Sequence, residues 1–459
     1  MSMIAARLII QGGTVVTAEG EFRADVIARD GRIIALATES DAQPGDTVLD
    51  ARGCYVLPGV IDAHTHIKLD TGIYKTDDDW FTGTRAAAFG GVTTVIDFAT
   101  QFRGQSFRQA MEARFEEAQS AVIDYALHCM VTDLPPGKED RLGDLIDMGV
   151  AGLKVYTTYR PNYYWDDAQI LHLLRASAGM GGLVMTHCEN DALVTAATAA
   201  LVKRGDRGWR FHAQARPALA EQEAVARVLF LADAARAPVY IVHNSTARSI
   251  ELVQQARGRG QEVYNETCPQ YLLLDDRAYD GPHPAHYILQ PPLRGEGEGD
   301  LIWSLVAGGA VDVISTDHCD YALAQKTAVD DFTKTPGGLP GVETLLPLMY
   351  TYGVETGRIT FPQLVGLLSA RPARIFGLYS KKGAIRPGAD ADLVVYDPQP
   401  ETTVRAASLH YVATYSPYEG MRVKGAVRAT ISRGEVIVKD GAFCGAAGRG
   451  QFVPARRDR

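Results

Sequence analysis

The spacing of hydrophobic positions changes twice along the chain, near residues 59 and 380. Residues 7–57 carry short runs of Ile, Val and Leu, as in RLIIQGGTVVT, which Gly, Asp and Pro separate. Short β-branched runs between turn residues are typical of β-strands. The sequence therefore predicts a small β unit here. The same pattern in GAIRPGADADLVVYDP and KGAVRATISRGEVIVKDG predicts later strands that pair with it.

The region between these two β units alternates apolar β-branched runs with longer stretches of helical period. Such alternation predicts parallel strands joined by crossover helices. The candidate strands are GVIDAHTH, GVTTVIDFAT, YALHCMVTD, AGLKVYTTY, GLVMTHCEN, PVYIVHNS, EVYNETCPQYL and AVDVISTDHC. Because eight parallel strands close a barrel, we expect an α/β fold: a (β/α)8 TIM barrel with a small β-sandwich domain built from the N- and C-terminal segments.

The domain boundaries are expected where the pattern changes. Residues 1–58 are predicted to form the N-terminal part of the β-sandwich, 59–378 the barrel, and 379–442 the C-terminal part of the sandwich. Residues 443–459 end in an arginine-rich stretch and are expected to form a solvated C-terminal tail.

Composition and charge narrow the classes of partner. Of 459 residues, 46% are hydrophobic and 22% charged, and the formal net charge of -9 argues against binding to nucleic acid or an anionic membrane. The first apolar stretch is too short for a signal peptide, and no apolar run reaches the length of a membrane helix. The six cysteines are scattered singly, which fits a reducing cytoplasm. We expect a small-molecule substrate.

Histidines and one aspartate lie where the apolar strands end. His64 and His66 are two apart at the end of the first barrel strand, so both point to one face and can bind one metal ion. His187 and His243 end the fifth and sixth strands, and Asp317 ends the eighth. The His64 and His66 pair alone fits a structural or a metal-binding role about equally, and a lone histidine at a strand end is more often structural, but together these residues would converge at the carboxyl-terminal mouth of a barrel. The sequence therefore predicts a metal site.

Lys154 lies between apolar neighbours on the fourth strand, where a charged lysine would be costly to bury. One interpretation is a lysine that extends to the barrel rim. The other is a lysine made nucleophilic by burial, which reacts with carbon dioxide to give a carbamate that bridges two ions. His318 follows Asp317 and should point to the opposite face, outside the metal site.

These residues and their flanking phrases, PGVIDAHTH, FGGVTTVIDF, GLKVY, NETCPQYL, PPLR, STDHC and GADADLVVYDP, resemble the dihydropyrimidinases and D-hydantoinases among the cyclic amidohydrolases. The resemblance covers nearly the whole chain. It implies two zinc ions, with manganese or cobalt as substitutes, and a homotetramer. It assigns His64, His66, Lys154 and Asp317 to one ion, and Lys154, His187 and His243 to the other, with Lys154 as the bridging N6-carboxylysine.

The resemblance also implies the reaction, which is hydrolysis of a dihydropyrimidine or a 5-substituted hydantoin to an N-carbamoyl amino acid. Asp317 would carry the proton from the attacking water to the leaving nitrogen. Tyr159, five residues after the lysine, matches the tyrosine that hydrogen-bonds the oxyanion in this family.

Three positions depart from the common hydantoinase pattern. Gln290 stands where many relatives have serine, and the exchange is either neutral or narrows the pocket. Gly337 stands near a frequent asparagine and can be read as a turn glycine. Both positions bind substrate through the main chain in the family. Lys68 occupies the place of a carboxylate-binding arginine in dihydroorotases, so it either contacts an anionic group of the substrate or pairs with nearby aspartates.

The same barrel and metal ligands are also compatible with other functions. Allantoinases, dihydroorotases and cyclic imide hydrolases have the same metal ligands, and the LKVYTTY and PPLR motifs disfavour only the first two. A mononuclear deaminase lacks the bridging lysine, so Lys154 disfavours it. Catalytically silent relatives that serve as scaffolds have lost metal ligands, whereas every ligand position is kept here.

Overall fold

The structure is a computed structural model that describes residues 6–135 and 137–457. The first five residues of the expected N-terminal apolar stretch and the last two of the expected tail lie outside the described residues. Seven strands come first in the chain: β1 (Leu8–Gln11), β2 (Thr14–Thr17), β3 (Gly20–Arg23), β4 (Asp25–Arg29), β5 (Arg32–Ala37), β6 (Thr47–Asp50) and β7 (Tyr55–Pro58).

Eight parallel strands follow, and each pairs with its neighbour in chain order. They are β8 (Val60–Thr65), β9 (Val92–Thr100), β10 (Asp124–Met130), β11 (Leu153–Tyr156), β12 (Val184–His187), β13 (Val239–Ile241), β14 (Val263–Thr267) and β15 (Val313–Ile314). Their apolar runs are almost entirely buried, as expected for parallel strands covered on both faces. A parallel bridge between Thr65 and His318 joins the last strand region to the first and closes the barrel.

The last strands join the N-terminal ones in a separate layer. They are β16 (Leu393–Thr403), β17 (Arg422–Ser432), β18 (Glu435–Lys439) and β19 (Ala442–Phe443). Strand β16 pairs antiparallel with β7 in a seven-stranded sheet, and a four-stranded sheet has the order β5-β4-β1-β6. Side chains of both sheets, such as Ile10 and Leu393, pack in one apolar core. The predicted α/β fold, a barrel with a terminal β-sandwich, is confirmed, whereas the boundaries at residues 58, 378 and 442 stay a prediction.

Helices cover the barrel and supply the crossovers between its strands. They are α1 (Trp80–Phe89), α2 (Phe107–Glu117), α3 (Asp140–Asp147), α4 (Asp167–Ala178), α5 (Asp191–Arg204), α6 (His212–Ala215), α7 (Ala218–Ala235), α8 (Ala247–Gly258), α9 (Pro269–Leu273), α10 (Glu298–Ala307), α11 (Leu323–Lys326), α12 (Leu345–Met349), α13 (Phe361–Val365) and α14 (Arg371–Ile375). Asp79, Ser106 and Asp166 each cap the first turn of a helix through the side chain. Within the described ranges, no helix combines the length and the apolar character needed to cross a bilayer.

The C-terminal segment differs from the solvated tail that the sequence predicts. Tyr125 and Val453 are joined by a backbone hydrogen bond of 2.7 Å, at the amino-terminal end of barrel strand β10. Phe452 packs against the rings of Phe115 and Tyr125, and Val453 and Ala455 are buried. The prediction was wrong for this stretch because its apolar residues, which alternate with arginines and prolines, cover the bottom of the barrel.

Candidate metal centre and active site

The predicted site residues come together at the carboxyl-terminal mouth of the barrel. His64 lies in β8 and Lys154 in β11, His187 ends β12, and His243 and Asp317 follow β13 and β15. These residues line one cavity of about 580 Å³, and Tyr159, His66, Gln290 and Gly337 line it as well. The parallel direction of the strands explains the convergence, since all their carboxyl ends meet at one edge.

His64, His66 and Asp317 form the first cluster of possible metal ligands. The Nε2 atoms of His64 and His66 lie 3.2 and 3.1 Å from the same carboxylate oxygen of Asp317. Within this cluster, ligand atoms of all three residues are within 4.8 Å of one another. Nε2 of His64 is buried and, among the described residues, has no hydrogen-bond partner. A buried nitrogen aimed at a carboxylate without a hydrogen bond fits a metal ion between them.

His187 and His243 form a second cluster beside the first. Nδ1 of His187 lies 3.0 Å from Nε2 of His243. Glu189 is 2.7 Å from the other ring nitrogen of His187, so we infer that the His187 proton lies there and that Nδ1 keeps its lone pair. The rings of His64 and His243 are 5.5 Å apart, which places the two clusters next to each other.

Lys154 is 1% exposed and lines the same cavity. Its Nζ lies 5.4 Å from the ring centroid of Phe98 and 5.3 Å from that of Tyr156. Burial lowers the pKa of Lys154 to about 8, against the opposing effect of the Asp317 carboxylate. The uncharged, reactive form of this amine is therefore more populated near neutral pH than in an ordinary lysine.

Burial acts on the histidines in the direction that metal binding requires. It lowers the pKa of His187, and it holds the pKa values of His64 and His243 well below the usual range. Neutral imidazole is the form that binds metal ions. Burial also raises the pKa of Tyr159, which keeps its hydroxyl protonated and able to donate a hydrogen bond.

Three site residues have backbone conformations that the sequence does not reveal. Tyr159, His243 and Asp317 have φ angles of 74°, 36° and 52°, in the left-handed region that residues other than glycine seldom adopt. Such conformations are concentrated at functional sites, where the surrounding structure enforces them. Here the three residues follow the ends of barrel strands, and their side chains line the cavity.

Three residues that support the site, Glu266, Glu189 and Arg216, are not predicted from the sequence. Glu266 lies 2.5 Å from Nδ1 of His64, and Arg216 donates Nε to Glu189 at 2.9 Å. The guanidinium carbon of Arg216 also lies 5.3 Å from the Tyr159 ring centroid. The only signal in the sequence was the presence of acidic residues within apolar strand ends, in NETCPQYL and THCEN.

His318 faces away from the cavity, as the alternation of strand residues predicts. Its Nδ1 accepts the backbone N–H of Gly341 at 3.1 Å, so its proton lies on Nε2, which points to the Asp78 carboxylate at 3.3 Å. A ring occupied in this way has no lone pair left for a metal ion. Lys68 is exposed and lines a smaller adjoining recess with Asp70 and Glu117, and it is absent from the lining of the main cavity.

Comparisons with known proteins agree with this architecture. Residues 55–437 match the amidohydrolase family. The D-phenylhydantoinase of Escherichia coli O1:K1 is 42% identical over 452 residues, which cover 97% of this chain and 98% of the relative.

Solved structures give the same result. The dihydropyrimidinase from Brevibacillus agri NCHU1002 matches with a TM-score of 0.96 and 36% identity over 99% of this chain and 100% of that chain. A D-hydantoinase from a Bacillus sp. AR9 matches with a TM-score of 0.96 and 37% identity over 98% and 100%. The chain therefore belongs to the amidohydrolase family, among the dihydropyrimidinases and D-hydantoinases.

Proposed function

We propose that this protein is a binuclear zinc enzyme that opens a dihydropyrimidine or a 5-substituted hydantoin to an N-carbamoyl amino acid. The observation that carries the proposal is the convergence of four histidines, one aspartate and a buried lysine of lowered pKa in one cavity. The names of the relatives, a D-phenylhydantoinase and a dihydropyrimidinase, support the choice of ring.

Two groups of side chains would hold the ions. His64, His66 and Asp317 would hold one, and His187 and His243 the other. The buried Nε2 of His64, which has no hydrogen-bond partner among the described residues, and the 3.0 Å approach of Nδ1 of His187 to Nε2 of His243 support this division. Zinc prefers imidazole and carboxylate ligands, and manganese or cobalt can substitute for it.

Lys154 would supply the bridge between the ions as N6-carboxylysine. Its uncharged Nζ attacks the carbon of carbon dioxide, one N–H proton leaves to solvent, and a carbamate anion with two oxygens results. Its low exposure and its lowered pKa support this step, because the reaction needs the free amine.

Bound zinc supplies Lewis acidity, which polarises the amide carbonyl and lowers the pKa of water to roughly 7. Asp317 accepts the proton of the attacking water and transfers it to the ring nitrogen that leaves. The Tyr159 hydroxyl donates a hydrogen bond to the carbonyl oxygen as negative charge develops there. The main chain of Gln290 and Gly337, which line the cavity, would orient the ring.

The test is a ring-opening assay on zinc-reconstituted protein with bicarbonate. The substrates are dihydrouracil, substituted hydantoins, allantoin, dihydroorotate and succinimide. We expect turnover of dihydrouracil or a hydantoin, loss of turnover in Lys154→Ala, and no loss in Lys334→Ala, which changes an exposed lysine. Partial rescue of Lys154→Ala by a short-chain carboxylate would indicate that the missing group is a carboxylate bridge. Turnover of succinimide alone would replace the substrate assignment with a cyclic imide.

We also propose a homotetramer in the cytoplasm. The resemblance to the family supports the assembly, and the free cysteines support the compartment. Each of the six cysteines is unpaired and five are buried, which fits a reducing environment. Light scattering coupled to size-exclusion chromatography measures the mass in solution, and a monomer would contradict the assembly.

A further inference from the structure

The side chain of Gln290 occupies the space directly beside Gly337. A Cβ atom added at Gly337 would lie 1.7 Å from Oε1 and 2.3 Å from Cδ of Gln290. Gly337 does not belong to the glycines with positive φ, so its backbone conformation does not require glycine. We therefore attribute the glycine to space: it leaves room for the Gln290 amide. Gln290 and Gly337, which both depart from the family pattern, are thus coupled: the glycine makes room for the glutamine.

The Gln290 amide lies at the wall of the active-site cavity, where a bound substrate can reach it. Gln290 is half-buried and lines the cavity that contains His64 and Asp317. Within residues 6–135 and 137–457, its side chain has no hydrogen-bond partner. A primary amide offers both donors and an acceptor, and most polar groups at such a place are paired. An amide left free at the wall of an active-site cavity has substrate or water as its remaining partners.

The backbone on both sides of this amide is held rigidly. Nζ of the buried Lys326 donates hydrogen bonds of 2.8 Å to the carbonyl oxygens of Ile288 and Gly338. The N–H of Gly338 also donates to the Ile288 carbonyl at 3.0 Å. The segments that carry Gln290 and Gly337 are therefore tied together, and the amide is presented from a fixed wall.

We propose that the Gln290 side chain determines specificity by pairing with an N–H/C=O edge of the ring substrate, and that Gly337 makes room for it. An amide that donates and accepts side by side is complementary to such an edge. A site that hydrogen-bonds a substrate N–H rejects analogues without it. This inference rests on the proposed function, because it takes a cyclic ureide or imide as the substrate.

The experiment compares Gln290→Met, Gly337→Ala and the double variant with the wild type. Methionine keeps the length of glutamine but removes its hydrogen bonds. Alanine at 337 displaces the flexible amide end, so it should remove the same interaction without unfolding the chain. We expect each single variant to raise KM roughly tenfold, and the double variant to add little more, because both changes remove one contact.

A second readout separates this contact from a general disturbance. Wild-type enzyme should prefer the parent ring over its analogue methylated at the ring nitrogen of the scissile amide. Gln290→Met and Gly337→Ala should both lose most of that preference while they keep the wild-type zinc content and melting temperature.

Three results would overturn the inference. An unchanged KM and an unchanged preference in Gln290→Met would show that the amide does not bind substrate. Additive effects of the two substitutions would show that Gly337 acts independently of Gln290. If wild-type enzyme opens no ring in the panel, the proposed function fails and this inference fails with it. If wild-type enzyme is active and only the first or second result is found, the proposed function stands.

Discussion

Nδ1 of His64 lies 2.5 Å from a carboxylate oxygen of Glu266, and both side chains are buried. The other Glu266 oxygen accepts the hydroxyl of Tyr240 at 2.7 Å. We infer that the carboxylate holds the His64 proton on Nδ1, which leaves the lone pair of Nε2 directed at Asp317. Outer residues of this kind orient a metal ligand and raise its basicity.

Glu266→Gln should weaken metal binding and activity, because the amide keeps the shape but removes the charge that supports His64. The expected loss in metal affinity or kcat/KM is on the order of 10 to 100-fold. Zinc content after dialysis against a graded chelator measures the affinity. Tyr240→Phe, which removes only the bond to the second Glu266 oxygen, is the control and should lose less. Equal metal content in Glu266→Gln and the wild type would contradict the assignment.

Arg216→Lys should lower kcat more than it raises KM. Arg216 forms three hydrogen bonds with Glu189 through Nε and Nη2 and lies over the Tyr159 ring, and lysine cannot reproduce its planar fork. The expected fall in kcat is on the order of tenfold or more. Arg277→Lys is the matched control, since Arg277 is exposed, forms the same fork with Asp275 and is absent from the residues that line the cavity. Equal effects of the two substitutions would remove any special role for Arg216.

The sequence predicts the barrel well because each parallel strand is a compact apolar run, and it places ligands such as His64 and Asp317 at their ends. What it does not predict depends on contacts between distant segments. His64 and Glu266 are 202 positions apart, and no local pattern links Gln290 to Gly337. The left-handed conformation of Asp317 is likewise enforced by its surroundings. The tail was mispredicted because its composition is polar while its few apolar residues find a partner surface.

Lys326→Met should destabilise the wall of the cavity. Nζ of Lys326 donates to the carbonyl oxygens of Ile288, Gly338 and Pro336, the last at 3.2 Å, and the side chain is completely buried. Among the described residues, the carbonyls of Gly338 and Pro336 would be left without a partner, at a cost of about 1–3 kcal/mol each, whereas that of Ile288 keeps the N–H of Gly338. We therefore expect a lower melting temperature and a raised KM. Lys334→Met, in the same loop but exposed, is the control, and a melting temperature equal to that of the control would contradict the prediction.

Lys382 connects the barrel to the terminal sheets. We predict that its replacement destabilises the fold to an extent that depends on pH. Its buried Nζ lies 2.7 Å from Asp124, at the start of β10, and 2.5 and 3.0 Å from Asp392 and Asp390, which precede β16. These carboxylates raise the pKa of Lys382, so the ammonium form is stabilised by folding throughout the neutral range. Lys382→Met should leave Asp392 without a side-chain cation among the described residues, whereas Asp124 and Asp390 keep Arg433 and Lys381. The uncompensated buried charge should destabilise the fold by about 3–5 kcal/mol.

The pH dependence of that loss follows from the acids that remain. Without Lys382, desolvation should raise the pKa of the buried Asp392 further above its unfolded value near 3.9, and the pKa of Asp390, which keeps Lys381, should rise as well. As the pH falls through the raised values, the folded state takes up more protons than the unfolded state, and stability is regained. The difference in melting temperature between the wild type and Lys382→Met should therefore be larger at pH 8 than at pH 5.5. Lys382→Arg, which keeps the charge, should show little of this dependence. A difference that is equal at both pH values would mean that lost packing, rather than unpaired carboxylates, causes the destabilisation.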